Sequence, residues 1–194
     1  MKSQTELQFD AEVRHAADVL REGGLILYPT DTVWGIGADA RNAEAVSRIF
    51  ELKRRADSKS MLALLDSVES LKVWVDHVPP QAMTLIEEAT GPLTIIYDSP
   101  KGVADNLTAP DGSLGIRITS ERFSAELCRA LGAPVVSTSA NISGQPTPHF
   151  FNEICEEIRK GVDYAVSYRR DDLTPCSPSR IVKVSDMGNV TVIR

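Results

Sequence analysis

At 194 residues, with 42% hydrophobic and 25% charged side chains, the chain is long enough to bury a real core and ordinary in composition for a globular protein. Its net charge of −6, from 21 basic and 27 acidic side chains, argues against a general nucleic-acid coat and leaves room only for a local basic patch. Three scattered cysteines (Cys128, Cys155, Cys176) give neither a disulfide framework nor a zinc-ligand spacing, and no segment approaches membrane-spanning length, so a cytoplasmic protein without a membrane partner is expected.

Val13, Ala16, Ala17 and Leu20 recur at helical spacing before Gly23 and Gly24, and residues 25–28 then read as a buried strand that Pro29 ends. Val46, Ile49 and Phe50 predict a second helix starting near Asn42 as N-cap. Residues 61–65 form an apolar run of strand length, followed by helical stretches at 67–74 and 80–89 and a strand at 93–97. Leu114, Ile116 and Ile118 alternate with Gly115 and Arg117, predicting a strand with one polar face. Phe123, Leu127, Ala130 and Leu131 give a helix ended by Gly132, and Pro134, Val135 and Val136 a short strand. Phe151, Ile154, Cys155 and Ile158 predict another helix, with Cys155 a plain buried thiol on its apolar stripe. Strands at 165–166, 181–184 and 190–193 follow, the last two as a hairpin around Gly188. Helices and strands alternate and finish in strands, which predicts one α/β domain over residues 1–194 with a mixed sheet. Residues 99–113, polar and rich in Gly, Pro and Asp, are the expected mobile loop.

The most telling stretch is STSANISGQPT, residues 137–147, placed directly after a strand. Hydroxyls and a carboxamide suit phosphate oxygens and ribose hydroxyls, although the same residues also build surface turns. PTDTVWGIGADA, residues 29–40, adds hydroxyls, a carboxylate and two glycines that let a ligand near the backbone. Its loose glycine fingerprint is rejected as dinucleotide-binding, because PTDTVW separates the glycines from the preceding strand. In KRRADSK, residues 53–59, Lys53 continues the inward stripe of its helix, and Arg54, Arg55 and Lys59 make a cation density suited to polyphosphate or to an ordinary helix C-terminus. Arg117 projects beside Gly115, as a surface salt-bridge partner or, near a ligand loop, as a clamp for carboxylate or phosphate. Ser177, Ser179 and Arg180 precede a late strand and on their own read as a turn. His15, His77 and His149 sit in no nucleophilic or metal motif. Cations and hydroxyls position phosphate rather than move protons, which favours adenylyl or phosphoryl chemistry.

Taken in order, these segments resemble a known family. PTDTVWGIGADA resembles the PTETVYGLGADA signature of the YrdC/YciO family, KRRADSKSM its K-x-R-x-x-x-K-P-L segment, and GIRIT its G-x-R-x-P. STSANISGQPT resembles S-x-S-A-N-x-S-G-x-P, and SPSRIVKV resembles P-S-T-V-V-D. The resemblance implies a YrdC-like twisted mixed parallel and antiparallel sheet flanked by helices, with a deep, positively charged cavity. It also implies synthesis of threonylcarbamoyl-AMP from L-threonine, bicarbonate or CO2, and ATP with Mg²⁺. The product would serve transferase proteins that modify tRNA. By motif position, Lys53, Arg55, Lys59, Ser139 and Asn141 would hold ATP, with Lys53 and Arg55 catalytic. Thr30, Arg117, Ser137 and Ser179 would hold threonine. Leu64 falls where longer relatives carry a histidine, Asp31 replaces the signature Glu, and Trp34 the Tyr. One other reading stays open, a YciO-type paralogue binding tRNA or double-stranded RNA with weak or different nucleotide chemistry. A carbamoyl-adenylate module of the hydrogenase-maturation kind is disfavoured, since those carry zinc-finger-like motifs that this sequence lacks.

Overall fold

The computed structural model describes residues 3–54 and 61–194, so Arg55 and Lys59 lie outside the described residues. Ser3 caps the first helix, α1 (Gln4–Arg21), whose apolar face runs Phe9, Val13, Ala16, Ala17 and Leu20. The chain then forms β1 (Ile26–Tyr28) and returns as β2 (Gly35–Gly37). Asn42 caps α2 (Ala43–Leu52) by accepting the Ala45 N–H at 3.0 Å. After β3 (Leu62–Leu65) come α3 (Val68–Trp74), α4 (Pro80–Glu87), β4 (Leu93–Tyr97) and β5 (Leu114–Ile118). The helix α5 (Arg122–Leu131) ends on Gly132 at φ 70°, and β6 (Val135–Ser139) follows. The chain closes with α6 (Glu156–Gly161), β7 (Tyr164–Ala165), β8 (Arg180–Val184) and β9 (Val190–Val192).

Among the described residues the strands make one nine-stranded sheet in the order β7-β1-β2-β6-β3-β5-β4-β8-β9. The pairs β1–β7, β3–β5 and β4–β8 are parallel and the others antiparallel, so the expected mixed α/β sheet is what forms. Helices α1 and α5 cover one face over Leu64 and Val135, and α2, α3 and α4 pack the other over Ala63, Leu65 and Ile95. Burying an apolar stripe on each face is what a sheet of this width needs.

Register decides what the first face exposes. Gly35 sits opposite Ser139, Leu62 opposite both Ser137 and Gly115, and Leu64 opposite Arg117, so all of these share one face. Where α1 and α5 stop, that face is floored by glycine and serine and lacks bulk.

Four expectations change. The segment GIG is a strand rather than ligand-facing loop, because β1 and β6 hydrogen-bond to either side of it. The strand after Pro134 runs on to Ser139, so Ser137 and Ser139 stand on the sheet and not in a loop. The expected helix through Cys155 is split into a 3₁₀ turn, Phe151–Glu153, and α6, with Cys155 partly exposed as the residue before α6. There Phe151 packs on Trp34, ring centres 4.8 Å apart, and Glu153 accepts the His149 N–H at 2.7 Å, which closes a tight turn. Residues 99–113 are not free along their length: Ala104 and Leu107 are buried, and Asn106 donates to Ala43 and Ser47 on α2.

Glycine at 37 is enforced by contact. A Cβ there would lie 2.7 Å from the ring of Tyr28, which is itself fully buried with its hydroxyl donating to the Val136 carbonyl at 3.1 Å. Gly37→Ala is expected to cost about 1–3 kcal/mol. Urea unfolding checks it, and an unchanged midpoint would show that the Tyr28 ring gives way freely.

Candidate active site

The floor of small residues opens into a cavity of about 300 Å³, lined among others by Thr30, Arg117, Ser137, Ser139, Ser179 and Arg194. The sequence therefore places five of its candidate residues together, from β5, β6, the loop after β1 and the entry to β8.

The loop after β1 is shaped by its own hydroxyls. Thr30 Oγ1 donates to the Val33 carbonyl at 2.7 Å and accepts the Thr32 N–H at 3.1 Å, a short side-chain turn that holds residues 30–33 above the sheet. Ser137 projects from β6 beside Gly35, whose missing Cβ leaves the Ser137 hydroxyl uncrowded. Ser179 is buried, accepts the Thr94 hydroxyl at 3.2 Å, and offers its carbonyl to the Arg194 guanidinium at 3.2 and 3.3 Å.

Arg117 is the buried cation of the site. Its side chain is 3% exposed and its Nε lies 3.1 Å from Asp31 Oδ1, while Asp31 is 6% exposed. Burial pushes the Asp31 carboxyl above its ordinary range and Arg117 draws it back down. Burial likewise lowers Arg117, and Asp31 supports its charge.

Lys53 and Asn141 do not line this cavity. Lys53 is 1% exposed at the end of α2, and its Nζ donates to the carbonyls of Ser139 and Asn141. Ser143 N–H returns to the Lys53 carbonyl at 2.9 Å. Asn141 accepts the Ser139 hydroxyl at 2.5 Å and donates to the carbonyls of Ile142 and Gln145. Lysine and carboxamide together brace the polar turn at the cavity edge. Arg54 stands apart, exposed and paired with Glu157 at 2.8 Å.

Among the described residues the lining carries two arginines, and Asp31 offsets one of them. The deep, positively charged cavity implied by the resemblance is not shown among the described residues, and Arg55 and Lys59 lie outside them. Sequence reasoning passed over Arg194 and His149, both of which reach the cavity. Neither carried a local signal: Arg194 arrives through the antiparallel pairing of β9 with β8, and His149 through the turn that Glu153 closes. Cys128 is no nucleophile, since burial pushes its thiol up to about 12. No three His, Cys, Asp or Glu side chains gather as a metal cluster among the described residues, and no helix there is long and apolar enough to cross a membrane.

Known proteins are similar to this chain in sequence and in fold. Escherichia coli O6:H1 has a protein named threonylcarbamoyl-AMP synthase that is 38% identical over 151 residues, 76% of this chain and 79% of its own. The fold matches P. abyssi Sua5 complexed with L-threonine at a TM-score of 0.80 and 26% identity, over 95% of this chain and 54% of that one. This chain thus spans about half the length of that Sua5. It also matches E. coli YciO at a TM-score of 0.82 and 24% identity, over 95% of this chain and 89% of that one, a likeness of fold. The family described as "Telomere recombination", Sua5_yciO_yrdC, matches residues 18–194, and with it the sequence motifs and the cavity they build find one explanation: the chain belongs to the Sua5/YciO/YrdC family.

Proposed function

We propose that this chain is a threonylcarbamoyl-AMP synthase, a nucleotidyltransferase acting on L-threonine, bicarbonate or CO2, and ATP. The observation that carries the reading is its 38% identity, over 76% of its length, to a protein bearing that name. The cavity supports it chemically, with an arginine for a carboxylate and serine and threonine hydroxyls for a small polar substrate.

In this reading Arg117 pairs with the threonine carboxylate, and Thr30, Ser137 and Ser179 surround its hydroxyl and amine. The amine attacks CO2, forming a C–N bond and releasing a proton. A carbamate oxygen then attacks the α-phosphorus of ATP, and the bond to pyrophosphate breaks. ATP arrives with Mg²⁺ carried on its phosphates as part of the substrate. Lys53, Arg55 and Lys59, with Ser139 and Asn141, serve the nucleotide. Arg55 and Lys59 offset the charge that grows on the leaving phosphates, while Lys53 holds the Ser139–Asn141 turn in place. The product passes to transferase proteins and through them to tRNA.

The test is pyrophosphate release that requires both threonine and bicarbonate, with the product mass measured beside it. Arg55→Ala is expected to lose two to three orders of magnitude in rate, about what one donor to a developing anion supplies. Arg54→Ala, which removes only the surface pair with Glu157, is expected to keep most of the activity. Salt-dependent tRNA binding without turnover would replace this reading with the RNA-binding one.

A further inference from the structure

Asp31 does not line the cavity that Arg117 lines. It borders a second cavity of about 320 Å³, walled by Ile95, Ile116 and Ile118 from the opposite sheet face. Its carboxylate meets the guanidinium at the Nε edge, from a residue that is not among those lining the first cavity. The contacts of Arg117 are correspondingly one-sided. Nε faces Asp31 Oδ1 at 3.1 Å and one Nη meets Thr32 Oγ1 at a long 3.4 Å; these are the side-chain contacts of its guanidinium among the described residues. Asp31 Oδ1 and Arg117 Nε are close yet not aligned as a hydrogen bond, and both are buried. A charge held by attraction at one edge keeps its other edge available, in the orientation a planar fork needs to grip a carboxylate with two bonds.

We propose that Asp31 is a positioning residue: it fixes the Arg117 guanidinium at its Nε edge from the loop after β1, so that the outer nitrogens of the guanidinium face the cavity as a clamp for the amino-acid carboxylate. The proposal rests on the threonine-using reading given above. Neutralising Asp31 frees the guanidinium to tilt toward other acceptors, and the loss falls on the amino acid rather than on ATP. Glutamate carries the same charge on a longer arm and satisfies the same role.

Asp31→Asn, Asp31→Ser and Asp31→Glu are compared with the parent in the pyrophosphate assay, varying threonine and ATP separately, with thermal unfolding run alongside. Both neutral variants are expected to raise the KM for threonine at least tenfold while the KM for ATP stays within twofold. Asp31→Glu is expected to return the threonine KM to within about threefold of the parent. An unchanged threonine KM in the neutral variants, an equal rise in both KM values, or no rescue by glutamate overturns the proposal. So does failure of both neutral variants to fold, which would assign Asp31 to the fold alone. A parent chain with no threonine-dependent release overturns the functional reading itself, and this proposal with it.

Discussion

Arg117→Met is expected to lower folding stability by about 3–5 kcal/mol at neutral pH, because it removes one partner of a buried ion pair and strands the other. Asp31 is 6% exposed and would keep only neutral donors, the Ser120 N–H and the Thr119 hydroxyl among them, against its charge. The defect has a direction in pH. Burial already raises the Asp31 carboxyl above its ordinary range despite Arg117, and without Arg117 it rises further. A folded state that holds its proton more tightly than the unfolded chain gains stability below the unfolded carboxylate value of about 3.9 and loses it as pH rises through the folded value. The gap between parent and Arg117→Met should therefore narrow as pH falls from neutral toward the unfolded carboxylate value of about 3.9, as read by chemical denaturation at each pH. A gap that stays as wide down to that value would mean that Asp31 finds another partner.

The second large effect belongs to Lys53→Met. The methionine fills a similar slot but leaves the Asn141 carbonyl without its donor and the Ser139 carbonyl with the Asn141 N–H alone. An unsatisfied acceptor costs about 1–3 kcal/mol, which for a chain of this size lowers the unfolding temperature by about 2–12 °C. Activity should fall by at least about two orders of magnitude even at temperatures where the variant is folded, since the turn presenting Ser139 to the cavity loses its brace. Lys53→Arg should not rescue, because a planar guanidinium cannot replace an ammonium in a site 1% exposed. Thermal unfolding beside pyrophosphate release separates the possibilities. Lost activity with an unchanged unfolding temperature would make Lys53 a ligand group alone.

What the sequence disclosed divides along local and distant causes. α2 and its Asn42 cap, the alternation that put Arg117 on the polar face of β5, and the β8–β9 hairpin were legible because each depends on a few neighbouring residues. β2 was not, since a strand of two glycines and one isoleucine exists only because β1 and β6 flank it. The serines and threonine of β6 read as loop residues for a related reason: side chains facing a polar cavity remove the apolar alternation that marks a strand. The anchoring of residues 99–113 hung on Ala104 and Leu107, two apolar residues in a polar segment. Within the site, Thr30, Arg117, Ser137, Ser139 and Ser179 were named and do converge. Arg194, His149 and the backing role of Asp31 depend on contacts between segments far apart in the chain, which no local pattern encodes.

The strand order has a temporal consequence. The loop at residues 30–33 and β2 come early in the chain, while Ser179 and Arg194 come at its far end, and β8 must find β4 across an intervening crossover before they meet. Contacts this non-local form slowly and late in folding. A nascent chain can bury its α1–β1 layer while its ligand cavity does not yet exist. No ligand of that cavity can then act as a folding template, and ligand protection begins only once the last strand has docked.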